Sequence, residues 1–166
     1  MISRVSPNLR SPVAIWRLDQ KRHMSTWDSG QGAFQFGGRW NSKGVRAVYC
    51  SLDPATAILE VAVHKGFRAL DTIPHVLTKA EITDPTQIHV VNPSDVPNQS
   101  WLSPCIPSVG QQAFGNDLLQ RHGYVLLPSV VSAHSWNLIF DGPGATGHIT
   151  GVEQEDFALD TRFDPA

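Results

Sequence analysis

Glu60 is the one acid in an otherwise apolar run from Ala55 to Val63, and a carboxylate in such surroundings must gather hydrogen-bond donors or hold its proton. Ala55, Ala57, Ile58, Leu59, Val61, Ala62 and Val63 leave the run no wide polar face, the pattern of an element packed on several sides, so Glu60 is expected to be desolvated. That makes it the first candidate for chemistry. Arg39 is the second. It stands in GGRWN, where glycines allow close backbone approach and the guanidinium offers a planar fork of donors for phosphate or carboxylate, phosphate being the better fit. The same five residues also suit a structural arginine paired to an acid.

Four more residues have the chemistry to join them. Arg17 follows Ala-Ile-Trp, an apolar setting in which a permanent charge needs an anionic partner, either a ligand or one of Asp53 and Glu60. Tyr49 ends the apolar Val-Tyr-Cys; its ring suits stacking and its hydroxyl a hydrogen bond, while the plainer role is a core tyrosine with a satisfied hydroxyl. Ser129, in LLPSVV, lacks the GxSxG surroundings of a nucleophile elbow and reads as a hydrogen-bond donor or a turn-stabilising residue. Asn137, polar within SWNLIF, needs buried partners or faces a site. His64 follows Glu60 by one helical turn. The histidines show no metal-ligand spacing, HExxH is absent, and so are a dinucleotide-binding glycine fingerprint and a P-loop; no metal is assigned.

The elements that must position these residues alternate in type. Asp53 followed by Pro54 is an N-cap acid with a proline at the first helical position, predicting a helix to His64. Strands are predicted at Val13 to Leu18, Arg46 to Ser51, His75 to Ile82, Ile88 to Val91, Tyr124 to Leu127 and Ser135 to Phe140, with a short last one around Phe157 to Leu159. Gln111 to His122 reads as a helix stopped by Gly123. His23 to Phe36, with Trp27, Phe34 and Phe36, reads as a long loop whose aromatics either stack on a flat ligand or pin it to the core. Asn92 to Val109 and Asp141 to Thr150 read as irregular. The fold class is therefore α+β, one domain over 1–166 with a sheet interrupted by loops and flanked by helices.

Bulk properties narrow the function. A chain of 166 residues, 41% hydrophobic and 17% charged, suits one soluble domain, and a formal charge of −2 gives no reason to expect nucleic-acid binding. Cys50 and Cys105 form no CxxC pattern, so neither a disulfide framework nor a zinc site is indicated. The opening residues have no continuous apolar segment of a signal peptide, and no stretch is long enough to cross a bilayer, so a cytoplasmic protein without membrane contact is expected.

Taken together, GGRWNSKGVRAVYCSLDPATAILEVAVH, PSVVSAHSWNLIF and the closing DFALDTRF resemble the RES domain, a family named for an Arg, a Glu and a Ser. The resemblance covers most of the chain; the middle, from about Lys65 to Pro107, is not diagnostic. It implies an ADP-ribosyltransferase-like fold and the toxin half of a bacterial toxin–antitoxin module, partnered by an Xre-type antitoxin in a heteromeric complex that can hold more than one toxin copy. NAD+ would be the substrate, with no separate cofactor, and water or phosphate would accept the ADP-ribosyl group. By motif, the catalytic residues fall on Arg39, Glu60 and Ser129, while Arg17 and Tyr49 match positions implicated in NAD binding; Asn137 is placed beside them as a site-facing residue. The carboxylate would steady an oxocarbenium-like transition state. The chain departs from the family where it has Phe140-Asp141-Gly142-Pro143 in place of an Asn-Pro-Ala-His-like segment, implying a differently shaped loop. Other readings are a protein ADP-ribosyltransferase, a non-catalytic nucleotide- or protein-binding module, and a structural protein in which Glu60 pairs internally with Arg17 or Arg39.

Overall fold

In a computed structural model, residues 5–142, 146–160 and 162 are described. Seven strands form one continuous sheet: β1 (Val13–Gln20), β2 (Val48–Ser51), β3 (His75–Ile82), β4 (Ile88–Val90), β5 (Tyr124–Pro128), β6 (Trp136–Phe140) and β7 (Ile149–Phe157). Their order is β4-β5-β6-β2-β1-β3-β7, with β4 and β5 parallel and every other neighbouring pair antiparallel. The helices are α1 (Gln31–Phe36), α2 (Pro54–Lys65), α3 (Phe67–Thr72) and α4 (Val109–Arg121). The α+β class is as expected, with loops and helices intervening between the strands of one sheet.

Both faces of the sheet are covered. On one, Val13, Ile15, Val48, Cys50, Leu126, Leu138 and Phe140 form a core with Trp27. On the other, α4 brings Leu118 and Leu119 onto Val125, Leu127 and Ile139 together with Trp40, while Ala62 of α2 and Leu70 of α3 pack on Leu18 and Leu77. β5 reads YVLLP and is buried at all five residues, the continuous apolar run of a central strand covered on both sides.

α2 begins as its sequence dictates. Asp53 is extended, and its carboxylate accepts the Thr56 N–H at 2.8 Å and the Thr56 hydroxyl at 2.7 Å; the helix ends at Gly66, whose φ of 82° favours glycine. The packing differs from expectation. Only Thr56, Ala57 and Ala62 of α2 are buried, and Leu59 and Val63 are exposed at 37% and 66%. One side of the helix is covered by β1, β2 and α3, and the remaining apolar side is open. Glu60 is consequently half-buried rather than enclosed.

Other differences have local causes. The segment His23 to Phe36 is not a single loop: a 3-10 helix spans Lys21–Thr26 and α1 follows Gly30, whose left-handed φ of 64° turns the chain. Of its aromatics Trp27 is buried and packs edge-on to Phe140, Phe34 lies under the Arg46 guanidinium, and Phe36 is exposed. α4 ends at an extended His122 rather than on Gly123, and α3 and most of β7 were not anticipated. β7 is an edge strand with a largely exposed, polar sequence, ITGVEQEDF, so it lacks the apolar alternation that marks a half-buried strand. Asp141 and Gly142 are irregular as expected; Pro143 to Ala145, within the divergent loop, lie outside the described residues, as do Met1 to Arg4, Thr161 and Phe163 to Ala166.

Candidate functional site

The ladder register sets a row of side chains across one face of the sheet. Trp16 of β1 stands opposite Ser51 of β2, Ser51 opposite Asn137 of β6, and Asn137 opposite Leu127 of β5. Directly paired residues share a face, so this row points toward α2 and α4. Ser129, two residues beyond Leu127, continues it at the strand end.

Glu60 reaches into this row from α2. Its Oε1 accepts the Ser129 hydroxyl at 2.9 Å and a short hydrogen bond from Asn137 Nδ2. Each donor is itself fixed. The Glu60 carboxylate, which can only accept, turns the Asn137 NH2 toward itself and leaves Oδ1 to accept the Ser51 hydroxyl at 2.7 Å, and the buried Ser129 Oγ accepts the Ser132 N–H at 3.1 Å. Ser129 is therefore a hydrogen-bond donor to the Glu60 carboxylate. Thr56, one turn before Glu60, is buried, whereas His64, one turn after it, is exposed.

Arg39 belongs to a second cluster on the same face. Its Nη2 donates to the Cys105 carbonyl at 3.0 Å, and its Nη1 is buried without a hydrogen-bond partner among the described residues. Beside it the Tyr49 hydroxyl donates to Asn41 Oδ1 at 2.7 Å and accepts the Trp40 N–H at 3.0 Å. Burial pushes the Tyr49 phenol well above its ordinary pKa, against the opposing pull of the Trp40 N–H and the Arg39 charge. The hydroxyl that sequence reading offered to a ligand is thus engaged in holding the arginine loop. A side chain at Gly38 would put its Cβ 2.6 Å from that hydroxyl, which is why the second glycine of GGRWN is needed.

The two clusters face one another along β2. Tyr49 and Ser51 are two residues apart on one strand, so they point to the same side about 7 Å apart. Glu60, Ser129, Asn137 and Ser51 sit at one end of this span, Arg39 and Tyr49 at the other.

Arg17 does not join them. Strand alternation places it with Val13 and Ile15 on the opposite face. There it forms an ion pair with Asp19 at 2.8 Å and donates to the Tyr49 backbone carbonyl at 2.9 Å. Its anionic partner is Asp19, two residues along the strand, and neither Asp53 nor Glu60. The Arg17 and Asp19 charges act in opposite directions on the nearby Cys50 thiol, whose pKa burial pushes up to about 12. No ion pair joins Glu60 to Arg17 or Arg39, which removes the internal salt bridge as the account of this acid. Among the described residues no group of three His, Cys, Asp or Glu side chains gathers to hold a metal, and no helix is long and apolar enough to cross a membrane.

Ser51 and Asn41 were missed in the sequence. Ser51 was detectable, since period-two alternation from Tyr49 gives it the same face. Asn41 follows Arg39 by two residues but carries no local pattern that shows its side chain turning back into the loop.

The seven-stranded α+β fold is shared with a solved structure. The chain superposes on the M. tuberculosis MbcT-MbcA toxin-antitoxin complex with a TM-score of 0.63 at 20% identity, covering 89% of this chain and 85% of that one. The RES domain family model matches residues 14–160, and the chain belongs to that family. It is 30% identical to "Toxin Res" of Photorhabdus laumondii subsp. laumondii over 155 residues, 91% of this chain and 97% of the relative. It is 31% identical to the "Prs ADP-ribosylating toxin" of a Sphingobium species over 135 residues, 78% and 82% of the two chains.

Proposed function

We propose that this protein is the toxin of a toxin–antitoxin pair and that it consumes NAD+ by breaking the bond between nicotinamide and its ribose. The observation that carries the reading is the Glu60 carboxylate, oriented by Ser129 and Asn137 and half-open to solvent, on the same sheet face as an arginine with an unspent buried donor. As the glycosidic bond lengthens, positive charge grows on the ribosyl carbon, and a fixed carboxylate stabilises it without reorganising. The electron pair of the breaking bond leaves with nicotinamide. Water then adds to the ribosyl carbon and releases a proton, or phosphate adds in its place. Arg39 Nη1 would donate to the pyrophosphate, and the Tyr49 ring would line the span between the clusters. Arg17 acts only behind the sheet in this reading. NAD+ is the substrate and no further cofactor is required.

An antitoxin should restrain such an enzyme in its own cell. The toxin names of the relatives and the complex formed by the structural neighbour support this partner. We assign it to the Xre type on the resemblance noted above, and the cytoplasm as the compartment in which NAD+ and the antitoxin meet the chain. A second reading, ADP-ribosyl transfer to a protein, is favoured by the name of the Sphingobium relative. One experiment separates the two: NAD+ labelled in its adenylate part is incubated with the protein and a cell extract. Label recovered as free ADP-ribose or its phosphate supports NAD+ degradation, label on a macromolecule supports transfer, and label remaining in NAD+ contradicts both.

A further inference from the structure

The loop that carries Arg39 is held from one helix. Gln112, Gly115 and Asn116 of α4 occupy positions i, i+3 and i+4 and so form one helical face. Gln112 Nε2 donates to the Gly38 carbonyl at 2.8 Å. Asn116 Oδ1 accepts the Ser42 N–H at 3.0 Å, and its Nδ2 donates to the Ser42 hydroxyl at 2.7 Å. Between them Gly115 lies so close that a Cβ there would meet the Trp40 carbonyl oxygen at 1.9 Å.

Inside the loop Asn41 completes the restraint. It is fully buried, and its Nδ2 lies within hydrogen-bond distance of the Ala33, Ser42 and Val45 carbonyls, at 3.0, 3.2 and 2.9 Å. Its Oδ1 accepts the Tyr49 hydroxyl, which itself accepts the Trp40 N–H. Gly38 N–H closes the turn on the Asn41 carbonyl at 2.9 Å. The backbone on both sides of Arg39 is therefore fixed, while its side chain keeps one buried donor unpaired.

We infer that Gln112 and Asn116 of α4, with Asn41, are positioning residues that fix Arg39 for the anionic part of the substrate. The inference rests on the proposed function in taking that part to be the NAD+ pyrophosphate. Helix and loop lie 74 residues apart in sequence, so this face of α4 has no other evident reason to carry two amides directed at loop polar groups. A donor held in place before binding loses no freedom when the anion arrives, and the benefit falls on binding rather than on bond cleavage at the distant ribose.

The test uses the full chain with NAD+ as the probe. Gln112→Glu keeps the side-chain size and removes the donor to Gly38. It should raise KM by roughly tenfold, the worth of one well-placed hydrogen bond, with kcat changed by less than about twofold. In an Arg39→Ala background the same substitution should cost almost nothing further. An equal fall in kcat with unchanged KM, or a loss that multiplies with that of Arg39→Ala, would overturn the assignment. Amide hydrogen exchange of Gly38, Trp40 and Ser42 is read in parallel. Faster exchange in Gln112→Glu and Asn116→Ala supports the restraint, and unchanged protection refutes it. A native chain that leaves NAD+ intact contradicts the proposed function, and the exchange data still decide whether α4 fixes the loop.

Discussion

Ser129 donates its hydroxyl to Glu60 Oε1 at 2.9 Å, joining the end of β5 to the middle of α2 across 69 residues of sequence. The serine is buried and immobilised by its own contact from the Ser132 N–H, so the carboxylate is held by a donor that cannot follow it elsewhere. Asn137 fixes the same oxygen from β6. Under the proposed function, a carboxylate restrained from two strands and half-open to solvent would meet the positive charge that develops on the ribose.

Ser129→Ala and Asn137→Ala should each lower kcat for NAD+ cleavage by about 10- to 100-fold, since a hydrogen bond to a charged group is worth about 1.5–3 kcal/mol. Steady-state kinetics on folded variants checks this. The double variant should lose less than the product of the two, because both donors act on one oxygen.

Gly115→Ala should destabilise the protein although alanine is the better helix former. The helix gain is about 1 kcal/mol, whereas a methyl placed 1.9 Å from the Trp40 carbonyl forces helix and loop apart at an overpacking cost of about 1–3 kcal/mol or more. Urea unfolding should show a lower midpoint with an unchanged slope.

Asp53→Ala removes the acceptor of the Thr56 N–H and hydroxyl at the start of α2 and should cost about 1 kcal/mol of stability. Since α2 carries Glu60, the fall in unfolding midpoint should be accompanied by a lower kcat.

His122 predicts a pH dependence away from the site. It stacks on His89 with ring centroids 3.9 Å apart, and its pKa is lowered, first by desolvation and then by the charges of His89 and Arg121, against an opposing effect of Asp117. A folded pKa below the unfolded value means that the unfolded chain binds the proton more readily. The contribution is therefore fully present above the ordinary histidine value and is lost as pH falls below it. The thermal midpoint should drop as pH falls below the ordinary histidine value of about 6.5, and His122→Phe should make that drop smaller.

Much of the scaffold was legible because its causes are local. Asp53 and Pro54 marked the start of α2, and the apolar alternation of His75 to Ile82 gave β3 to the residue. The resemblance supplied Arg39, Glu60 and Ser129 together. What lay beyond reading was set by register and distance in sequence. Arg17 and Tyr49 are both strand residues, and only the strand pairing reveals that they leave the sheet on opposite faces. The partners of Glu60 come from 69 and 77 residues away, and those of the Arg39 loop from α4, where no periodicity announces them. β7 escaped because a solvent-facing edge strand does not need an apolar face.

The most direct measurement is nicotinamide release from NAD+ by the purified protein and by Glu60→Gln, which keeps the volume of the side chain and removes its charge. Steady release by the native chain, reduced at least about 100-fold in the variant, is the predicted result. Undiminished NAD+ with the native chain, or equal release by both, would contradict the account.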